Sequence, residues 1–201
     1  MNLSSLRNTK NLLKQHNIRP SKRFGQNFLI DKKVLRKIVA AANLNPQDTV
    51  LEIGPGLGVL TQELAKRAKK VVAVEKDLKM IEILREMLDC WNVRNVEIVN
   101  VDILKYKIQD TRYKVVGNLP FYLTAPVIRK FLESNKQPRG LFIVAQKEVA
   151  QRICARPPRM NLLAVSVQFY ATPKIISYIS KKSFWPSPEV DAAILEIQNT
   201  I

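Results

Sequence analysis

Two short runs hold the residues best suited to chemistry. The first is Val116-Gly117-Asn118-Leu119-Pro120-Phe121-Tyr122, at the end of an apolar stretch. An exocyclic aromatic amine is a poor nucleophile because its lone pair is delocalised into the ring. Two acceptors that take its two hydrogens free that lone pair for attack on a methyl group. The Asn118 side-chain oxygen and the Leu119 carbonyl form such a pair. Pro120 fixes the backbone so that the carbonyl points outward. Phe121 or Tyr122 can stack on a flipped-out base. None of this needs a metal or a strong base. His16 is the only histidine, which excludes a histidine-based metal site or triad. Taken alone, the same run also suits a strand-ending turn with an Asn cap.

The second run is Leu51-Glu52-Ile53-Gly54-Pro55-Gly56-Leu57-Gly58. Glycines between a strand and a helix let the backbone turn tightly and approach a ligand closely. Glu75 lies 21 residues after Gly54, a spacing that suits a carboxylate on two ribose hydroxyls. A dinucleotide fingerprint would need a glycine where Val59 stands, and Glu52 would repel a pyrophosphate. A cationic ligand fits better, such as the sulfonium and ammonium of S-adenosylmethionine. Asp102, after a further apolar stretch, can accept a hydrogen bond from an adenine amino group.

The rest of the chain must position these residues. Residues 3–16 read as an amphipathic helix. Asp31 is a candidate N-cap for a helix over 32–43, and Asp77 for one reaching Cys90. Strands are expected at Thr49–Ile53, Val71–Val74, Val96–Val99, Lys114–Val116 and Gly140–Ala145. Helices are expected over about 59–68, at Thr124–Glu133 and at Glu148–Cys154. Val165–Ala171, Ile175–Ile179 and Ala192–Ile197 read as further strands. Such alternation predicts an α/β fold, a mostly parallel sheet with helices on both faces. The last strands lack full-length helices between them, which predicts an antiparallel edge.

The 201 residues suffice for one main domain. No run of 18 apolar residues occurs, so no membrane-spanning helix is expected. Two distant cysteines, Cys90 and Cys154, suit a reducing cytoplasm better than a disulfide framework. The net charge of +16 is unevenly spread. Residues 1–40 carry ten basic and one acidic side chain, and residues 129–182 carry eleven and two. The middle, 41–128, is nearly neutral, and residues 183–201 are acidic. Two basic segments flanking a neutral one point to a polyanionic partner, with nucleic acid first and salt-sensitive binding expected. The first 24 residues hold no acid and are compatible with a transit peptide. They run directly into a motif described next, which favours a place in the mature fold.

Several ordered motifs together resemble the KsgA-type ribosomal RNA adenine dimethyltransferases, relatives of the Erm resistance methylases. Phe24-Gly25-Gln26-Asn27-Phe28-Leu29-Ile30-Asp31 is similar to that family's N-terminal cofactor motif. The glycine turn at Gly54, with Gly56, then Glu75, Asp102 and Asn118-Leu119-Pro120-Phe121 follow in order, with Gln146-Lys147-Glu148-Val149-Ala150 after them. Ser183-Phe184-Trp185-Pro186-Ser187-Pro188-Glu189-Val190-Asp191 is similar to its F-x-P-x-P-x-V-[DN] motif. The resemblance covers about residues 9–197. It implies a class I S-adenosylmethionine-dependent methyltransferase fold, Rossmann-like, with residues 1–30 as a basic helix and cofactor-motif segment and 31–201 as the methyltransferase domain. It implies that Gln26, Asn27 and Leu29 join Glu52, Gly54, Gly56, Glu75, Asp102 and Asn118 around S-adenosylmethionine, and that Phe184 packs on the target base. It further implies dimethylation of two adjacent adenines near the 3′ end of small-subunit rRNA, in the cytoplasm, by a monomer without a metal, on rRNA or an assembling 30S subunit. An Erm-like action on large-subunit rRNA is the first alternative, and a non-catalytic nucleic-acid-binding or assembly factor is the second. Two departures stand out. Arg159-Met160-Asn161-Leu162-Leu163 replaces a G-R-L-S-like loop, and the family's helical C-terminal domain has no counterpart before Ile201.

Overall fold

A computed structural model describes residues 3–21 and 24–199. A seven-stranded sheet forms the centre. Its strands are β2 (Thr49–Ile53), β3 (Lys70–Glu75), β4 (Val96–Asn100), β5 (Tyr113–Asn118), β6 (Gly140–Gln146), β7 (Ala171–Ile179) and β9 (Ala192–Asn199), in the order β4-β3-β2-β5-β6-β9-β7. The first five run parallel, and β9 pairs antiparallel with both β6 and β7. The expected antiparallel edge is therefore present, with β9 inserted between β6 and β7. The sheet order reverses at β2, which continues to β3 on one side and to β5 on the other, so a crevice opens at the carboxyl ends of these strands.

Side-chain alternation assigns the helices to faces. Leu51, Val72, Val115 and Ile143 look towards α5 (Thr124–Leu132), α6 (Lys147–Ile153) and α7 (Leu162–Gln168). Val50, Val71, Val116 and Val144 look towards α2 (Lys32–Ala41) and α3 (Val59–Ala65). Ala73, two residues from Val71 and so on the same face, meets Leu84 and Leu88 of α4 (Leu78–Cys90). Phe131, Ile38, Leu64 and Leu84 are fully enclosed. Truncation of any of them to Ala would cost about 2–5 kcal/mol.

Local signals set the boundaries. Asp31 caps α2, accepting from the Lys33 and Val34 amides, and Asp77 caps α4, accepting from Lys79. The N-terminal helix α1 (Leu6–Gln15) starts later than the sequence suggests and inserts Leu12 and Leu13 among Phe28, Leu57 and Met80. One expectation is overturned. Val165–Ala171 is not a strand: residues through Gln168 form α7, and only Ala171 enters β7. Its Val-rich composition favours a strand, but the Asn161 side chain accepts from the Ala164 amide and starts a helix. The helix buries Ala164 and Val167, three apart, as helical spacing requires.

A two-residue ladder lies outside the main sheet. β1 (Phe28–Leu29) pairs antiparallel with β8 (Phe184–Trp185). This pairing ties the segment before α2 to the segment before β9.

Candidate functional site

Gln26, Asn27, Leu29, Glu52, Gly54, Gly56, Glu75, Asp102, Asn118–Phe121 and Phe184 converge on one cavity of about 360 Å³ at the carboxyl ends of β2, β3 and β5, whereas Gln146–Ala150 and the rest of the Ser183–Asp191 motif do not line it. That is within the range of small-ligand sites. It forms where the parallel strands end in turns rather than in ladder.

The floor is the β2–α3 turn. Gly54 has φ +65°, and nothing lies within 4 Å of the position a Cβ would take. The turn thus leaves open room that any side chain would fill. Glu75 ends β3 beside it. One Glu75 oxygen accepts from the Lys76 and Asp77 amides at 2.8 and 2.9 Å, and the other from the Gly56 amide at 3.3 Å. Burial nevertheless holds the Glu75 carboxyl above its ordinary range, against these three donors. Glu52 is 1% exposed, and its Oε2 has no hydrogen-bond partner. Burial, with the Glu75 charge adding to it, pushes Glu52 up to about 8. An unpartnered buried carboxyl is costly unless a ligand satisfies it.

Asp102 sits on the loop after β4. Its carboxylate accepts from Lys76 Nζ and from the Leu104 amide, at 2.8 and 3.0 Å. Both contacts hold it below the usual carboxylate range, the lysine most strongly. The Lys76 contact was not foreseen from the sequence, although its place directly after Glu75 was available as a signal.

The other wall is the strap Phe24–Leu29. Gln26 pins it: Oε1 accepts from the Ser21 amide and Nε2 donates to Asp77 Oδ2, both at 2.8 Å. Leu29 is buried against α2, in register with Phe184. Gly25 has φ +59°, and a Cβ there would lie 2.9 Å from Pro120 Cβ, so strap and Asn118 run touch only because residue 25 is glycine.

Asn118 closes β5. Its Nδ2 donates to the Asn27 carbonyl at 3.0 Å, which leaves Oδ1 as the acceptor end of the amide. Leu119 lies beyond the last ladder pair, Asn118 with Val144, so its carbonyl is outside the sheet. Pro120 has φ −53° and ψ 131° and precedes a 3-10 turn, Phe121–Leu123. Phe121 is half-buried and Tyr122 is 59% exposed, both lining the cavity. Phe184 also lines it but is buried, with Asp31 holding the preceding residue through Ser183 Oγ at 2.9 Å. Asp31, read from sequence as a cap and as the end of the Phe24–Asp31 motif, thus also anchors the segment that carries Phe184. Among the described lining residues Lys76 is the only cation.

The arrangement can hold a flat polar ligand on acids at one end and present two acceptors and aromatic faces at the other. The family model for ribosomal RNA adenine dimethylase matches residues 16–200. The ribosomal RNA small subunit methyltransferase A of Dehalococcoides mccartyi strain CBDB1 is 44% identical over 199 residues, covering 96% of this chain and 68% of that protein. Its counterpart in Alkaliphilus oremlandii is 40% identical, covering 97% and 71%. The crystal structure of the 23S rRNA methyltransferase ErmE superposes with a TM-score of 0.79 at 32% identity, over 86% of this chain and 70% of that one. A dimethyladenosine transferase from Plasmodium falciparum gives 0.80 at 27% identity, over 86% and 63%. The chain belongs to the ribosomal RNA adenine dimethylase family.

Proposed function

We propose that this protein transfers methyl groups from S-adenosylmethionine to the exocyclic amine of adenines in small-subunit rRNA, dimethylating two adjacent adenines near its 3′ end and so contributing to small-subunit assembly. The observation that carries this reading is Asn118, whose amide nitrogen is held by the Asn27 carbonyl so that its oxygen is left to accept from an amine. Leu119 supplies the second acceptor. Together they favour the pyramidal, nucleophilic form of the nitrogen over the planar one. Phe121, Tyr122 and Phe184 provide apolar faces for a base turned out of its strand, and Pro120 fixes the carbonyl between them.

The cavity fits the cofactor. Gly54 leaves room, Glu75 suits a ribose diol, Asp102 suits an adenine amine, and the unpartnered Glu52 oxygen suits a cation. When bound, S-adenosylmethionine supplies an electrophilic methyl on a sulfonium. The strap residues Gln26, Asn27 and Leu29 cover the site and limit water. The free thiols Cys90 and Cys154 suit a reducing cytoplasm. Among the described residues no helix is long and apolar enough to cross a membrane.

The likeness to ErmE favours large-subunit rRNA as a second reading. The higher identity to the small-subunit enzymes supports the first. Incubation with labelled S-adenosylmethionine and unmethylated subunits of each kind separates them: label is expected as dimethyladenosine in the small subunit. Asn118→Ala is expected to lower kcat by a hundredfold or more, on the order of losing one preorganised transition-state contact. Label in neither subunit, or full activity in the variant, overturns the reading.

A further inference from the structure

The same sheet edge carries a second feature that the cavity does not use. β6 ends at Gln146 and β7 at Ile179, and both pair with Ala192 at the start of β9. The end of β7 therefore lies three strands from Asn118 along this rim, about 14 Å at ordinary strand spacing. Tyr178 stands there, 52% exposed, on the outermost strand. Lys147 Nζ lies 5.4 Å from the centre of its ring, and Gln151 Nε2 donates to its hydroxyl at 3.4 Å. Lys181 and Lys182 follow on the turn that leads to Phe184.

The acids next in sequence to these residues are Glu148, Glu189 and Asp191. Asp191 Oδ1 accepts the Lys181 amide, and the Glu189 carbonyl holds Lys181 Nζ. Asp191 is thus engaged in shaping the turn. The stretch 129–182 carries eleven basic and two acidic side chains, a count that leaves out Glu189 and Asp191, and Lys37 adds a cation at Ser177 on the same strand. A half-exposed aromatic ring under a lysine, on a basic rim beside a base-accepting pocket, has the chemistry of a single-strand stacking platform: the π-face takes any base, and the ammonium takes the phosphate next to it.

We propose that Tyr178, with Lys147 and Lys182, is a stacking site for an unpaired nucleotide that neighbours the target adenine in the same RNA strand. This rests on the function proposed above, since that function brings a single strand to the rim. The occupant is RNA rather than protein because the stretch 129–182 is strongly basic and the function proposed above brings a single strand to this rim; Ile176, 36% exposed two residues away on the same strand, adds apolar surface beside the ring. The site would hold the strand in register while the adenine is turned into the cavity.

The test uses a short single-stranded oligoribonucleotide carrying 2-aminopurine, whose fluorescence falls on stacking, and reads binding rather than methylation. The wild-type chain is expected to quench the probe. Tyr178→Leu is expected to lower the quenching, leaving only what the faces of Phe121, Tyr122 and Phe184 contribute, and to weaken binding about tenfold. Tyr178→Phe and Tyr178→Trp should keep both. Affinity for S-adenosylmethionine, measured alongside, should be the same in all four. In methylation of rRNA, Tyr178→Leu should raise KM with kcat unchanged. Unchanged quenching and affinity in Tyr178→Leu overturn the proposal, as does an equal loss in Tyr178→Phe, which would assign the effect to the hydroxyl. Because the quenching needs no methyl transfer, failure of the stacking site and failure of the proposed activity are read separately.

Discussion

Glu52, Glu75 and Asp102 line the cavity with Lys76 as the one cation among the described lining residues, whereas the rim beside it carries Lys147, Lys181 and Lys182 around an exposed tyrosine. The two regions are only a few strands apart in one sheet. Their opposite signs would match the opposite ligands of the function proposed above, a sulfonium inside and a phosphate chain outside. Between them sits Asn118, neutral, where that proposal holds a neutral amine. A chain with a net charge of +16 has kept its cofactor pocket acidic by placing those acids in the nearly neutral stretch 41–128 and its excess cations on either side. The segregation also limits trespass: the acids disfavour phosphate in the cofactor pocket, and the lysines disfavour the cationic cofactor outside it.

If that contrast governs binding, the largest effect should come from Glu75. Glu75→Ala removes the carboxylate proposed to accept from the ribose hydroxyls, and its bonds to the Gly56, Lys76 and Asp77 amides. We expect S-adenosylmethionine to bind about a hundredfold more weakly by calorimetry, the equivalent of about 3 kcal/mol. RNA affinity should barely change. Comparable losses for both ligands would break the comparison.

Glu52 gives the next largest effect and ties it to pH. Burial places its folded-state value near 8 against 4.5 for the ordinary group. The unfolded chain therefore binds fewer protons across that window, and folding stability should fall as pH rises through it and level off above about 8. A cationic ligand favours the ionised carboxylate, so cofactor affinity should run the other way, rising towards about pH 8 with release of a proton. Glu52→Gln should flatten most of both trends, leaving the smaller contribution of Glu75. It should weaken the cofactor about tenfold at the alkaline end, the worth of one charge-assisted contact. Melting curves and calorimetry across the pH series read both, and a variant with the wild-type slopes would contradict the assignment.

The sequence made most of the cavity legible and less of what braces it. Gly54, Glu75, Asp102 and Asn118 each stand at or just past the end of a strand, so strand periodicity and the rule that ligands gather at strand ends placed them together. The capping roles of Asp31 and Asp77 were legible because a cap is a local event over four residues. Long-range pairings were not. The β1–β8 ladder joins residues more than 150 apart through only two pairs, too short to leave an alternation pattern. The Gln26–Asp77 and Asn118–Asn27 bonds likewise join distant segments whose spacing carries no signal. The error at Val165–Ala171 has a different origin. Valine content favours a strand, but one Asn cap and the burial of Ala164 and Val167 on a single helical face outweighed it.

Lys76 offers the finest test of the contrast, because it is the exception inside the acidic pocket. Its ammonium sits 2.8 Å from Asp102 Oδ2, on the carboxylate proposed to accept from the cofactor's adenine amine. On that proposal the lysine and the amine compete for this oxygen. The pair is partly exposed, so its net worth is at most about 1 kcal/mol. Removing the lysine frees the Asp102 oxygen and deepens the negative potential, and both effects favour a cationic adenosyl ligand. Lys76→Met is expected to tighten S-adenosylmethionine threefold to fivefold, roughly what that energy allows. S-adenosylhomocysteine, which lacks the sulfonium charge, should gain only from the freed oxygen and so gain less. Equal gains for the two ligands would mean that competition at Asp102 alone sets the effect. A loss for both would mean that Lys76 holds Asp102 in place for the adenine rather than withholding it.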